Sequence, residues 1–156
     1  MSARQRIDGL AGDWNGDNRL WLMPTDPARE SKTTARVELA AGGGFVLIRY
    51  DWADNGKPQD GVLIVRNAEA PSDDDIAWVD SFHTGGKIMH FRGEDDAQGR
   101  ISGFTTYEAP GGPPWGWRIV FSVEGGDEFR VLMYNVSPDG EVYPAVEARY
   151  ERTAGG

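Results

Sequence analysis

The sequence predicts an all-β protein, a single closed up-and-down antiparallel β-barrel of about ten strands. Three observations predict it. Turn signals built on Gly, Pro, Asn and Asp punctuate the chain about every 10–14 residues. The segments between them alternate apolar and polar side chains with the period of two of a half-buried strand. Large rings (Trp14, Tyr50, Trp52, Trp78, Trp117 and Tyr150) fall repeatedly on faces that this alternation assigns inward, which suits a wide barrel better than a thin sandwich core of mid-sized aliphatics. Closing consecutive hairpins into a ring also removes exposed sheet edges.

Residues 1–9 form an N-terminal segment, with room for a short helix near residues 3–10, and residues 10–153 form the barrel domain. The first strand starts at Trp14, with Gly16, Asn18, Leu20 and Leu22 on the same face. Pro24 to Ser31 is a polar loop. Thr33, Ala35, Val37 and Leu39 then alternate with Lys32, Thr34, Arg36 and Glu38. After the Ala41–Gly44 turn, Val46, Ile48, Tyr50 and Trp52 face inward, with Arg49 and Asp51 outside. Asn55-Gly56 marks a two-residue hairpin, because both residues tolerate the positive φ of a type I′ turn. Gly61–Arg66 is the fourth strand.

An acidic loop, Asn67–Asp75, leads to a fifth strand in which Ile76, Trp78, Asp80 and Phe82 share a face opposite His83. Gly85-Gly86 turns the chain into Lys87–Gly93, which pairs with Ile101–Glu108. The Ala109–Pro114 run cannot lie in a central strand. Trp115, Trp117, Ile119, Phe121 and Val123 form one face of the next strand. Phe129, Val131, Met133 and Asn135 form one face of the strand after it, and Val142–Arg152 is the last.

Composition excludes several function classes. The net charge of −9 repels polyanions, so neither nucleic acid nor an anionic membrane is an expected partner. There is no cysteine, which removes disulfides and thiolate metal sites. Met1–Leu10 lacks the apolar core of a signal peptide, and no run reaches the ~18 apolar residues of a membrane helix, so a soluble cytoplasmic protein is expected. A homodimer is compatible with the chain. No phosphate-cradling glycine loop or Gly-x-Ser-x-Gly motif is present.

The Gly12-Asp13-Trp14-Asn15-Gly16 opening, Gly43-Gly44-Phe45-Val46, Trp78-Val79-Asp80-Ser81 and the closing Tyr150-Glu151-Arg152 together resemble a bacterial lipocalin-like family of domains of unknown function. That family belongs to the calycin superfamily, with the lipocalins, fatty-acid-binding proteins and nitrobindin-like barrels. The resemblance spans nearly the whole chain. It implies a closed barrel whose floor is built from Trp14 packed beneath Arg152, a structural pair. Nitrobindin-like barrels hold haem through a His near the chain end. Here the histidines are His83 and His90, both mid-chain, so no haem or other cofactor is expected.

The chemistry-bearing candidates lie on the inward faces. Asp80 sits between Trp78 and Phe82, where burial raises a carboxyl's pKa unless a cation pairs with it. Either it forms an internal salt bridge with Arg92 or Arg118, or it anchors a ligand or acts as a general base. His90 and Arg92 share a face and are expected beside Asp80, with Tyr107 near. Alternation puts Asp80 and His83 on opposite faces, so no metal site is expected. The leading reading is a binder of a small, largely apolar or aromatic molecule in the barrel cavity. Tyr50, Trp52, Trp78, Trp117, Phe121 and Met133 would form its wall, and Asp80, His90, Arg92, Tyr107 and Asn135 its polar contacts. The alternative is a cofactor-independent isomerase, cyclase or hydro-lyase using Asp80 and His90 as proton carriers. A structural domain with a filled interior is the third reading.

Overall fold

The period-two segments become ten strands in the computed structural model, which describes residues 4–153. They are β1 (Gly12–Leu20), β2 (Arg29–Ala40), β3 (Phe45–Asp54), β4 (Lys57–Arg66) and β5 (Ile76–Asp80), then β6 (Met89–Glu94), β7 (Ile101–Tyr107), β8 (Trp115–Val123), β9 (Glu128–Val136) and β10 (Val142–Arg152). Each strand pairs antiparallel with its sequence neighbours, and β1 pairs with β10, from Trp14 opposite Arg152 to Leu20 opposite Val146, so the ring closes. The predicted turn chemistry holds: Asn55 and Gly56 take φ of 50° and 80° between β3 and β4. The helix allowed near residues 3–10 is reduced to one 3-10 turn, Asp8–Leu10; residues 1–3 lie outside the described residues.

Inward faces follow the alternation closely in β1–β5 and through most of β9, whereas β8 is buried on both faces and β10 is interrupted by a bulge between Pro144 and Val146. Trp14, Val46, Ile48, Trp78, Ile119, Phe129 and Tyr150 are almost fully buried. Gly16 is one of these inward positions, and a Cβ there would lie 1.7 Å from the Arg149 carbonyl oxygen of β10. Only a residue without a side chain lets β1 and β10 approach this closely, which is where the ring must seal.

The two ends of the barrel differ. One end, the mouth, carries the β1–β2, β3–β4, β5–β6, β7–β8 and β9–β10 connections. The other end is covered by the N-terminal segment. Gln5 donates its backbone N–H to Gly99 (2.6 Å) and accepts from Val123 through its side chain (3.0 Å), and Ile7 and Leu10 are buried in the core. Arg4 crosses to Asp75, Nη2 to Oδ2 2.7 Å, and Arg66 Nε holds the other oxygen at 2.9 Å. Beneath them Trp14 donates its indole N–H to the Leu10 carbonyl at 2.7 Å and meets Phe129 edge-on at 4.7 Å. Arg152 lies over the Trp14 ring, 4.4 Å from the centroid, and donates to the carbonyls of Ala11, Gly9 and Gly126.

The sheet is weakest beside the mouth. β5 and β6 pair only from Ile76–Phe91 to Trp78–Met89, and β6 and β7 only from Arg92–Phe104 to Glu94–Ser102. Toward the mouth β6 and β7 diverge, leaving Met89 and His90 facing Thr105–Tyr107 across a gap in the ring.

Candidate functional site

β5 ends at Asp80 because the Asp80 side chain caps the turn that follows. Its Oδ1 accepts the backbone N–H of Phe82 (2.8 Å) and of His83 (3.0 Å), and Thr84 Oγ1 accepts the Asp80 N–H at 2.9 Å. Asp side chains commonly satisfy amides a few residues ahead in this way, and the chain then leaves the extended conformation. The alternation therefore stops one residue after Asp80, and His83 folds back over the strand end. Its Nδ1 lies 3.1 Å from Asp80 Oδ1. The expectation that Asp80 and His83 lie on opposite faces is corrected by this cap.

The other carboxylate oxygen is also taken. Asp80 Oδ2 accepts from Tyr50 Oη at 2.5 Å and from Trp52 Nε1 at 3.3 Å, while Tyr50 Oη accepts from Trp78 Nε1 at 2.8 Å. The polar tips of three inward rings thus converge on one carboxylate. Burial pushes the Asp80 carboxyl up, but the hydrogen bond and charge of His83, the Tyr50 hydroxyl and the Phe82 amide outweigh it and leave the group below the ordinary carboxylate range. The salt bridges expected with Arg92 or Arg118 do not form. Arg118 pairs outside with Glu94 at 2.8 Å, and Arg92 is exposed.

His83 is the centre of an aromatic cluster. Its ring centroid lies 4.9 Å from Phe82, 5.4 Å from Trp78, 5.4 Å from Trp117 and 5.8 Å from Trp52, to which it is stacked. Trp78 and Trp117 stack on each other at 5.6 Å. At the rim Tyr107 donates to Asn135 Oδ1 at 2.5 Å. Trp117 Nε1 is buried and has no hydrogen-bond partner among the described residues.

Two spaces adjoin this cluster. The inner one, between His83, Asp80, Tyr50, Asn18 and Met133, has a volume of about 20 Å³, the room of one water molecule. Around it, among the described residues, the core side chains pack against one another, unlike the ring-lined hollow expected from sequence. The outer one is an open cleft of about 820 Å³ between the Phe82–Met89 loop, Thr105–Glu108, Trp117 and Asn135, continuous with the gap between β6 and β7. Its size is that of a small-molecule site.

The sequence-selected residues divide accordingly. Tyr50, Trp52, Trp78, Asp80 and Met133 border the inner space, and Trp78, Tyr107, Trp117 and Asn135 border the cleft. Phe121 borders neither; it is buried in the half of the barrel away from the mouth, opposite Ile101 and Val131. His90 and Arg92 are corrected: Met89 and Phe91 take the inward positions of β6, so both polar neighbours point out, although His90 edges the cleft. The missed residue is His83. Its sequence signal was Asp80 followed by Thr84 and Gly85-Gly86, a side-chain-capped turn rather than two more strand residues.

A family profile described as "Protein of unknown function (DUF1579)" matches residues 1–152. The chain belongs to the DUF1579 family. None of the curated proteins matches it. A solved structure, that of Rv2717c from M. tuberculosis, resembles the DUF1579 barrel with a TM-score of 0.59 at 14% identity, covering 94% of this chain and 94% of that one. At that identity the likeness extends to the fold alone. A closed barrel with a ring-lined mouth is a fold suited to binding ligands. Among the described residues of this DUF1579 chain, no helix is long and apolar enough to cross a membrane, and no group of three metal-ligating side chains comes together.

Alkaline pH tests the buried phenols of the DUF1579 barrel. Burial, then the Asp80 charge, pushes Tyr50 well above its ordinary value of 10.0, and burial raises Tyr150, which donates to Thr33 Oγ1 at 2.8 Å because the Thr33 hydroxyl itself donates to the Asp51 carbonyl. Both phenols stay protonated when folded and ionise when unfolded. Their stabilisation is complete below about pH 10 and is lost as pH rises above it, at about 1.4 kcal/mol per pH unit for each. Urea unfolding between pH 9 and 11 is expected to show this fall, with Tyr150→Phe removing about half the slope; a flat profile would contradict the assignment.

Proposed function

We propose that the chain binds a small, largely apolar or aromatic molecule in its barrel, through the cleft at the mouth. The carrying observation is the ring cluster of Phe82, His83, Trp78 and Trp117 facing an opening of ligand size. The cleft sets the apolar wall of Trp78, Phe82, Ile88, Met89 and Trp117 against a polar rim that includes Thr105, Thr106, Glu108 and Asn135, so an apolar body can pack on one side and a polar end on the other. The calycin-like motifs of the sequence, from a superfamily rich in ligand-carrying barrels, support the same reading. The inner space of about 20 Å³ adds room only for the tip of a ligand unless the rings part.

Titration with a neutral naphthalene fluorophore such as prodan is the test. Saturable binding with quenching of tryptophan emission is expected. Phe82→Ala, at a position already 37% exposed, is expected to weaken binding about three- to tenfold with the melting temperature little changed. Absence of saturable binding would count against the reading and favour a structural domain with a filled interior.

A second reading is acid–base catalysis in the same cleft, favoured by the contact between His83 Nδ1 and the Asp80 carboxylate. Asp80 then serves as the positioning residue and His83 as the proton carrier, in the place first given to His90. Turnover abolished by His83→Gln, with affinity kept within a few-fold, separates this reading from simple binding.

A further inference from the structure

The polar groups left over at the mouth define the chemistry of the ligand more narrowly than its apolar walls do. Asp80 has no spare capacity. Oδ1 accepts two backbone amides and faces His83 Nδ1, and Oδ2 accepts Tyr50 Oη and Trp52 Nε1. A carboxylate accepts hydrogen bonds and does not donate, so the proton between Asp80 and His83 sits on Nδ1. Protonated, the ring carries the charge that depresses Asp80 and both its nitrogens donate; neutral, it keeps the Nδ1 proton on the Asp80 side and has its lone pair on Nε2, the form that accepts from a ligand. Nε2 has no hydrogen-bond partner among the described residues, and the His83 ring borders both the inner space and the cleft. The Asp80 contact therefore does for His83 what a carboxylate does in any His–carboxylate pair: it fixes the ring's orientation and tautomer and presents an acceptor to whatever occupies the cleft.

Trp117 supplies the complement. Its indole N–H is a donor only, it is buried, and it is unpartnered among the described residues, in a ring whose centroid is 5.4 Å from that of His83. A buried donor without a partner is costly, and a ligand acceptor relieves that cost. The site thus combines a free acceptor on His83 with a buried, unpartnered donor on the neighbouring Trp117 ring. A hydroxyl group is both donor and acceptor in a single atom.

Charge narrows the class further. Among the described residues neither Lys nor Arg borders the inner space, and Lys87, an exposed residue, is the only one of either type bordering the cleft. The Asp80 carboxylate lies behind His83, and the chain carries a net charge of −9. A carboxylate or phosphate ligand meets one exposed lysine, no buried cation and a repulsive field.

We infer that the mouth of the barrel is a binding site for neutral hydroxyl-bearing aromatic molecules, phenols and their fused-ring analogues, whose hydroxyl donates to His83 Nε2 and whose ring packs in the cleft against the exposed Phe82 ring. This rests on the binding reading above and specifies its ligand class.

Calorimetric titration of the full chain with 2-naphthol, 2-methoxynaphthalene and 2-naphthoate tests it. The first two share ring and shape and differ in the hydroxyl donor; the third replaces the hydroxyl with an anion. In the wild type, 2-naphthol is expected to bind about three- to tenfold more tightly than 2-methoxynaphthalene, the worth of one hydrogen bond, and 2-naphthoate most weakly. In His83→Phe, which keeps a ring and removes the acceptor, 2-naphthol and 2-methoxynaphthalene are expected to bind alike. Equal binding of the two in the wild type, or a hydroxyl preference that survives His83→Phe, overturns the inference while leaving the binding reading intact. Failure of all three probes to bind overturns both. Should His83→Phe not fold, the wild-type comparison decides together with 15N chemical shifts of the His83 ring, where a neutral imidazole protonated on Nε2 instead of Nδ1 also overturns the inference.

Discussion

Trp14→Ala is expected to lower the unfolding free energy by about 3–5 kcal/mol, the usual cost of removing a buried indole from a packed core. The side chain is 1% exposed. Its loss removes the edge-on contact with Phe129 at 4.7 Å, the hydrogen bond to the Leu10 carbonyl at 2.7 Å and the face under Arg152. The Arg152 contact alone is worth about 0.5–2 kcal/mol, so most of the expected loss comes from the cavity and the lost apolar burial. Arg152 keeps its three carbonyl partners, which limits the damage to the floor. For a chain of this length the change corresponds to a fall in melting temperature of roughly 6–20 °C, measurable by calorimetry or urea unfolding. Because Trp14 lies at the end away from the mouth, the folded fraction should bind naphthalene probes as the wild type does. Unchanged stability would mean that the floor is not built on this residue.

Asp75→Asn is expected to be comparably damaging for an electrostatic reason. The Asp75 side chain is fully buried and holds Arg4, itself 5% exposed, on one oxygen and Arg66 on the other. Arg4 Nε already lacks a partner among the described residues, and the Arg4 guanidinium otherwise reaches only the Ala70 carbonyl at 3.2 Å. Removing the carboxylate charge strands a buried cation, at a cost of about 3–5 kcal/mol. The double variant Arg4→Met with Asp75→Asn removes that stranded charge and should recover a large part of the loss. Urea unfolding of the two single variants and the double measures the coupling directly. Additive losses would show that Arg4 and Asp75 are independent and that the N-terminal segment is not pinned through them. The expected coupling makes the segment 4–10 part of the barrel's closure.

Legibility of the fold and of the site differed for a physical reason visible in single residues. Alternation alone turns Tyr50, Trp52 and Trp78 inward, because a strand's side chains must alternate and one face of a barrel must be dry. The same rule misplaced His90 and Arg92. Alternation says only that His90 and Arg92 share a face, and the structure turns the other face, with Met89 and Phe91, inward. It also misplaced His83, since alternation was extended past Asp80 into a turn that Asp80's own carboxylate organises. Phe121 was correctly inward, but inwardness does not tell height along the barrel axis, and Phe121 lies below the site.

The sequence by itself determined that this chain is a meander of short strands with a dry face of rings and aliphatics, because turn chemistry and the period of two are local properties of consecutive residues. Only the tertiary structure decided which histidine meets Asp80, where the sheet parts between β6 and β7, and how little of the interior stays empty. Those depend on side chains from strands far apart in the chain meeting across the barrel, and no local pattern encodes how closely they approach.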